Sequence, residues 1–198
     1  MTGLWIVIAI VVVLAIAVAV SYNRFVRQRN LVQESWRQVD VELTRRHELV
    51  PNLVETVKGY ATHEREVFES VTRARAAAAA PGASPAEQAK QEGVLGQALG
   101  RLFAVAEAYP DLKASTNFLE LQRQLTETED RIAAGRRFYN ANVRALNTRV
   151  ESFPSNIVAS TFNFKQAEYF EVEDVAIRSA PTVDFGQSGS ATPAPPVV

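Results

Sequence analysis

Seventeen consecutive apolar residues, Leu4 to Val20 ("LWIVIAIVVVLAIAVAV"), constrain this chain more than any other feature. Backbone amides have no water partner inside a bilayer, so a run of about 17 to 25 apolar residues is satisfied there as one helix. At 1.5 Å per residue the segment spans about 25 Å, enough for a membrane span with little tilt. A cleaved signal peptide competes with this reading, because "AVAV" before Ser21 offers small residues at a cleavage site. Two features favour an uncleaved anchor: no Lys or Arg precedes Leu4, and the run exceeds the about 7 to 15 residues of a signal-peptide core. Trp5 and Tyr22 stand where interfacial aromatics would.

The flanks set an orientation. Arg24, Arg27 and Arg29 follow the span and nothing basic precedes it, so the positive-inside rule leaves the C-terminal side in the cytoplasm. The same arginines suit anionic headgroups of the inner leaflet. The expected location is the cytoplasmic (inner) membrane, single-pass, with the N-terminus outside. With 21 basic and 22 acidic residues, the chain gives no electrostatic reason to expect nucleic acid as a partner. The absence of cysteine excludes disulfides, thiolate metal sites and a cysteine nucleophile.

Beyond the span the apolar residues recur at fours and threes, the signature of a helical seam. Val32, Trp36, Val39, Leu43, Val50, Leu53, Val57, Tyr60, Val67 and Val71 predict a first bundle helix continuous with the span and reaching the alanine run 76–80. Pro51 is its one interruption and predicts a kink, since proline removes the amide that would bond the carbonyl of His47. Ser84, Pro85 and Glu87 write a capping box for a second helix that carries Leu95, Ala98, Leu102, Val105 and Tyr109 and stops at Pro110. Gly93, Gly96 and Gly100 weaken this helix and predict dependence on packing, with close backbone approach. A third helix runs from about Ser115 to Phe153 through Phe118, Leu125, Ile132, Tyr139, Val143, Leu146 and Val150. After "FPSN", "IVASTFNF" reads as a short fourth piece, and "EYFEVEDVAI" fits strand, helix end or extended packing equally well. From Pro181 the Gly, Ser, Pro and Ala bias is that of a disordered tail.

No reaction site emerges from the residues. The chain has two histidines, in "RRHELVPNLVETVKGYATHE". Neither has the Glu-x-x-His spacing of a di-metal bundle, because Thr44 and Tyr60 occupy the required positions, and His47-Glu48 is not followed by a second His at zinc-protease spacing. Sixteen residues separate His47 from His63, about 24 Å along a helix. "GQSGS" is not a nucleophile elbow, since Ser190 stands where glycine is required. The polar residues that do fall on the apolar rhythm are Arg46, Glu64, Glu129 and Arg136. Such groups are expected to pair across helices or reach the rim, with a register-setting role favoured over ligand binding. On that reading, Glu129→Gln should loosen packing or alter oligomeric order.

Several stretches resemble the LemA proteins of bacteria and archaea. They are "RRHELVPNLVETVKGYATHE", "VTRARAA", "AEAYPDLKAS", "NFLELQ", "TEDRI", "RRFYN" and "FPSNIVA", in the family's order, within about Tyr22 to Glu171. The resemblance implies a membrane-anchored cytoplasmic bundle with no established catalytic activity, from a family connected with envelope function and intracellular membrane organelles. The alanine-rich segment before the second helix and the tail depart from the family pattern without touching these motifs.

The expectation is an all-α chain: an N-terminal transmembrane helix followed by an elongated antiparallel bundle of three long helices plus a shorter fourth piece. Its divisions are 1–22 for the extracytoplasmic end and span, 23–172 for the bundle, and 173–198 for an extended or disordered tail. The expected role is a non-enzymatic scaffold, without cofactor or metal, that contacts the lipid bilayer and self-associates or docks an envelope protein. The competing reading is a ligand- or ion-sensing domain using the Arg/Glu cluster and the loop Tyr109, Pro110, Asp111, Leu112 and Lys113.

Overall fold

The computed structural model describes residues 1–172, so the expected tail 173–198 lies outside the described residues. Among the described residues the regular structure is wholly helical: α1 (Thr2–Lys58), α2 (Arg65–Ala78), α3 (Pro85–Glu107), α4 (Pro110–Lys113), α5 (Thr116–Glu151) and α6 (Ser155–Thr161). α1 continues without a break from the apolar run into the bundle, and the side chains from Leu4 to Val20 are exposed. It is long and apolar enough to cross a membrane.

α5 runs antiparallel along α1. Arg149 lies over Phe25, Gln28 donates to the carbonyl of Asn142, and Arg46 meets Glu129. A Cβ added to Gly135 would come within 3.1 Å of Val39, so glycine permits the approach there.

The first bundle helix does not reach the alanine run. It ends at Lys58, residues 59–64 reverse the chain, and α2 folds back over the end of α1. A straight continuation would leave Phe68, Val71 and Ala74 without a partner; reversal buries them with Val50, Leu53 and Val57. Gly59, a poor helix former, stands at the break, and Tyr60, expected on the seam, is exposed.

Pro51 lies inside α1, and the helix continues across it. The carbonyl of His47, deprived of an amide donor by Pro51, accepts from Nε of Arg75 on α2 at 2.7 Å. The orphaned acceptor thus becomes the point where the returning helix is fastened.

α3 starts as the capping signal predicts. Ser84 accepts from the amide of Glu87, although the Glu87 carboxylate turns instead to Gln91 and Lys90. Of the three glycines, Gly93 faces Val172 and Gly96 faces Arg46, each at 3.5 Å from an added Cβ, whereas Gly100 has open space. Gly100→Ala should therefore stabilise the fold by about 1 kcal/mol, read as a raised denaturation midpoint.

As far as residue 172 the segment after α6 is an extended strap lying on α5, and 173–177 of the ambiguous "EYFEVEDVAI" lie outside the described residues. Asn147 brackets Ala167, donating to its carbonyl at 2.9 Å and accepting from its amide at 2.8 Å. Asn140 brackets Phe170 in the same way, at 3.1 and 3.0 Å. Seven helical residues rise about 10.5 Å, and three extended residues cover about 10 Å. The two asparagines therefore match the strap's repeat, and their amides replace the strand partner that the strap lacks.

Tyr139 donates to the carbonyl of Glu168 at 2.8 Å, and burial, with the Glu168 charge adding to it, pushes its phenol up to about 12. A raised phenol favours the neutral form in the fold. Its stabilisation is intact below the ordinary value near 10 and is lost as pH rises from about 10 through about 12. Tyr139→Phe should remove this alkaline step from a plot of denaturation midpoint against pH.

Candidate functional site

The bundle has two apolar cores. The membrane-proximal core holds Phe25, Val39, Leu43, Ala89, Ile132 and Tyr139; the distal core holds Val50, Leu53, Val71, Leu95, Leu102 and Leu125. Each of the three helices that contribute to both cores changes character at the boundary. Arg46 and His47 lie between Leu43 and Val50, Glu92 between Ala89 and Leu95, and Glu129 between Leu125 and Ile132. The charged residues form one polar layer where the two cores meet.

Glu92 is the centre of that layer and is 3% exposed. Its Oε2 accepts from Nη1 of Arg46 at 3.0 Å, and its Oε1 accepts from Nε2 of His47 and from Nε2 of Gln88, each at 2.8 Å. A carboxylate only accepts, so Nε2 of His47 carries the ring proton. Gln88 also donates to the carbonyl of Ala78, joining the layer to the end of α2. Nε of Arg46 lies 2.8 Å from Glu129, an ion pair whose N–H is not aimed at the oxygen. Glu129 is half-exposed. Burial raises its carboxyl above the usual range; Arg46 and Arg136 oppose that shift, while Glu92 and Asp130 add to it.

The structure thus brings Arg46 and Glu129 together and sets Arg136, half-buried, within electrostatic reach. It does not bring in Glu64, which occupies the N-cap position of α2 beyond the chain reversal. His47 is buried in the layer, while His63 is exposed. Glu92 was missed. Its signal was the rhythm of α3 extended backwards, since Ala89, Glu92 and Leu95 are spaced by threes.

Of the loop Tyr109 to Lys113, α4 makes one helical turn in which Leu112 is a buried plug of the distal core, while Pro110, Asp111 and Lys113 are exposed. From the start of α5 near this loop to Glu129 is roughly 20 Å of helical rise, so loop and layer are separate places. Among the described residues no three His, Asp or Glu side chains are grouped to hold a metal ion.

The sequence pattern of the LemA family matches residues 35–185, most of the chain. The chain belongs to the LemA family. Among its relatives, "Magnetosome protein MamQ 2" of Paramagnetospirillum magneticum is 31% identical over 175 residues, covering 76% of this chain and 64% of the relative. MamQ of Magnetospirillum gryphiswaldense is 28% identical, covering 75% and 64%. "Protein LemA" of Metamycoplasma hominis is 26% identical over 156 residues, covering 77% and 70%. The chain spans a little under two thirds of the MamQ proteins. Family membership and the long apolar helix together describe a membrane-associated helical protein. The matched LemA region takes in the polar layer, the chain reversal and the strap.

Proposed function

We propose that this LemA-family protein is a single-pass scaffold of the cytoplasmic membrane, with its N-terminus outside and its bundle in the cytoplasm, that self-associates or docks a partner protein without a catalytic step. The observation that carries this reading is the unbroken helix α1. Its outer part is wholly apolar and exposed, its middle carries Arg24, Arg27 and Arg29, and its far part is the central element of both cores. A continuous helix carries the bundle at a set distance from the bilayer, as a scaffold requires. The MamQ relatives are named as magnetosome proteins, which fits a role in organising a membrane compartment.

The polar layer supports a structural role over a sensing one. The polar groups around Glu92 engage one another, and a groove of about 720 Å³ at the α1–α2 turn, lined by Lys58, Arg65 and Phe68, includes none of them. Mild-detergent purification from native membranes after cross-linking, with size analysis and partner identification, tests the scaffold. A recurrent homo-oligomer or bound protein is expected; monomer alone, with no cross-linked partner, would overturn it.

A further inference from the structure

Several of the bundle's exposed large apolar side chains fall in one short stretch of chain at its membrane-proximal end. There Phe153, Ile157 and Phe162 are 81%, 56% and 47% exposed, and all three belong to the α5–α6 turn, α6 and its exit. Scattered apolar residues on a surface need no explanation, but a concentrated set marks a contact.

Their height relative to the span follows from packing. Phe162 meets Tyr22 edge-on at 5.0 Å between ring centroids and lines one groove with Val11, Leu14 and Val18 of the apolar run. Arg149 sits over Phe25 at 5.9 Å, and α5 runs toward the membrane end. α5 ends at Glu151, about 3 Å of helical rise beyond Arg149 in the direction of the span, and Phe153 follows two residues past that end. Val158 and Ala159 of α6 are buried in the proximal core, which leaves Ile157 on the outward side. Arg24 and Arg27, both exposed, follow within two turns of the span on α1, and exposed Lys165 lines a groove with Arg29 and Val32 next along the helix.

From this placement we propose that α6 and its flanking turns form a second contact with the bilayer that α1 spans: Phe153, Ile157 and Phe162 enter the headgroup–acyl boundary of the inner leaflet, with the basic residues on anionic headgroups. The occupant is lipid because the patch is continuous with the span's own apolar surface and shares its plane. Aromatic and aliphatic side chains at this depth, framed by Arg and Lys, have the composition of an interfacial anchor. One helix alone leaves the bundle free to rotate and tilt about its exit; a second contact sets which face of the bundle looks along the membrane.

The inference rests on α1 spanning the bilayer, and the test separates the two. The chain contains no cysteine, so Phe153→Cys, Ile157→Cys, Val11→Cys and Leu119→Cys each give a single labelling site in the full-length protein. Labelled with an environment-sensitive fluorophore and reconstituted in vesicles of zwitterionic lipid with an anionic fraction, the Val11 and Leu119 sites serve as the buried and aqueous references. Labels at 153 and 157 should show blue-shifted emission and quenching by lipid-borne quencher, at a depth shallower than Val11, with Leu119 unaffected. Aqueous emission at 153 and 157 alongside a lipid-buried Val11 would overturn the second contact and leave the span standing. An aqueous Val11 would overturn both.

Discussion

Glu92→Leu should destabilise the protein by about 3–5 kcal/mol, a large fraction of the stability of an ordinary domain. The substitution leaves the Arg46 guanidinium buried against α3 without its principal counter-charge and takes the acceptor from His47 Nε2. A charge removed from water and left unpaired costs far more than the pair contributes when intact. Glu92→Gln should fall between, since its amide oxygen still accepts but carries no charge. The double variant Arg46→Met with Glu92→Leu should recover most of the loss, because an apolar pair of similar volume joins the two cores directly. What remains, about 1–3 kcal/mol, belongs to the unsatisfied His47. Denaturation in mild detergent, followed by helical circular dichroism, measures all three. Equal losses in the single and double variants would refute this account of the layer.

The same comparison revises the expectation drawn for Glu129. Its carboxylate is half-exposed and burial already disfavours its charged form, so Glu129→Gln should change stability by about 1 kcal/mol or less. The double variant also separates stability from function. If the layer serves only to align the cores, the folded double variant retains self-association or partner docking.

The contrast between Glu129 and Glu92 shows what was legible in the sequence. The rhythm of α1 and α5 placed Arg46 and Glu129 on inward faces, and the structure pairs them. A single-helix rhythm says that a position faces inward, but not which residue lies opposite. Glu92 stood one step before the first residue read on its stripe, where the rhythm of α3 marks an inward position but not the groups that meet it. The reversal at 59–64 was hidden for a different reason. Val57, Tyr60, Glu64, Val67 and Val71 keep the same spacing across the turn, so a folded chain and a straight one have the same periodicity. The strap was illegible because its core-contacting residues Phe164, Ala167, Tyr169, Phe170 and Val172 keep neither the two of a strand nor the 3.6 of a helix. Its specification lies instead in Asn140 and Asn147, residues that look unremarkable on the helix carrying them.

That specification yields the second large effect. Phe170→Ala should cost about 3–5 kcal/mol, because Phe170 is wholly buried, meets Trp36 edge-on at 5.4 Å and has no exposed surface onto which a cavity could collapse. Phe138→Ala, at a side chain 52% exposed on α5, should stay within about 0.5 kcal/mol. The asparagine beside it separates packing from backbone satisfaction. Asn140→Ala leaves both the amide and the carbonyl of Phe170 without their partner, whereas Asn140→Asp still accepts from the amide and fails only at the carbonyl. Asn140→Ala should therefore lose more than Asn140→Asp if the bracket matters as two separate bonds. Hydrogen exchange at the Phe170 amide reads this directly: protection should vanish in the alanine variant and survive in part in the aspartate one. Equal protection in both would show that Phe170 is held by its ring alone. In that case the commensurate spacing of Asn140 and Asn147 would have no bearing on why the chain folds back along α5.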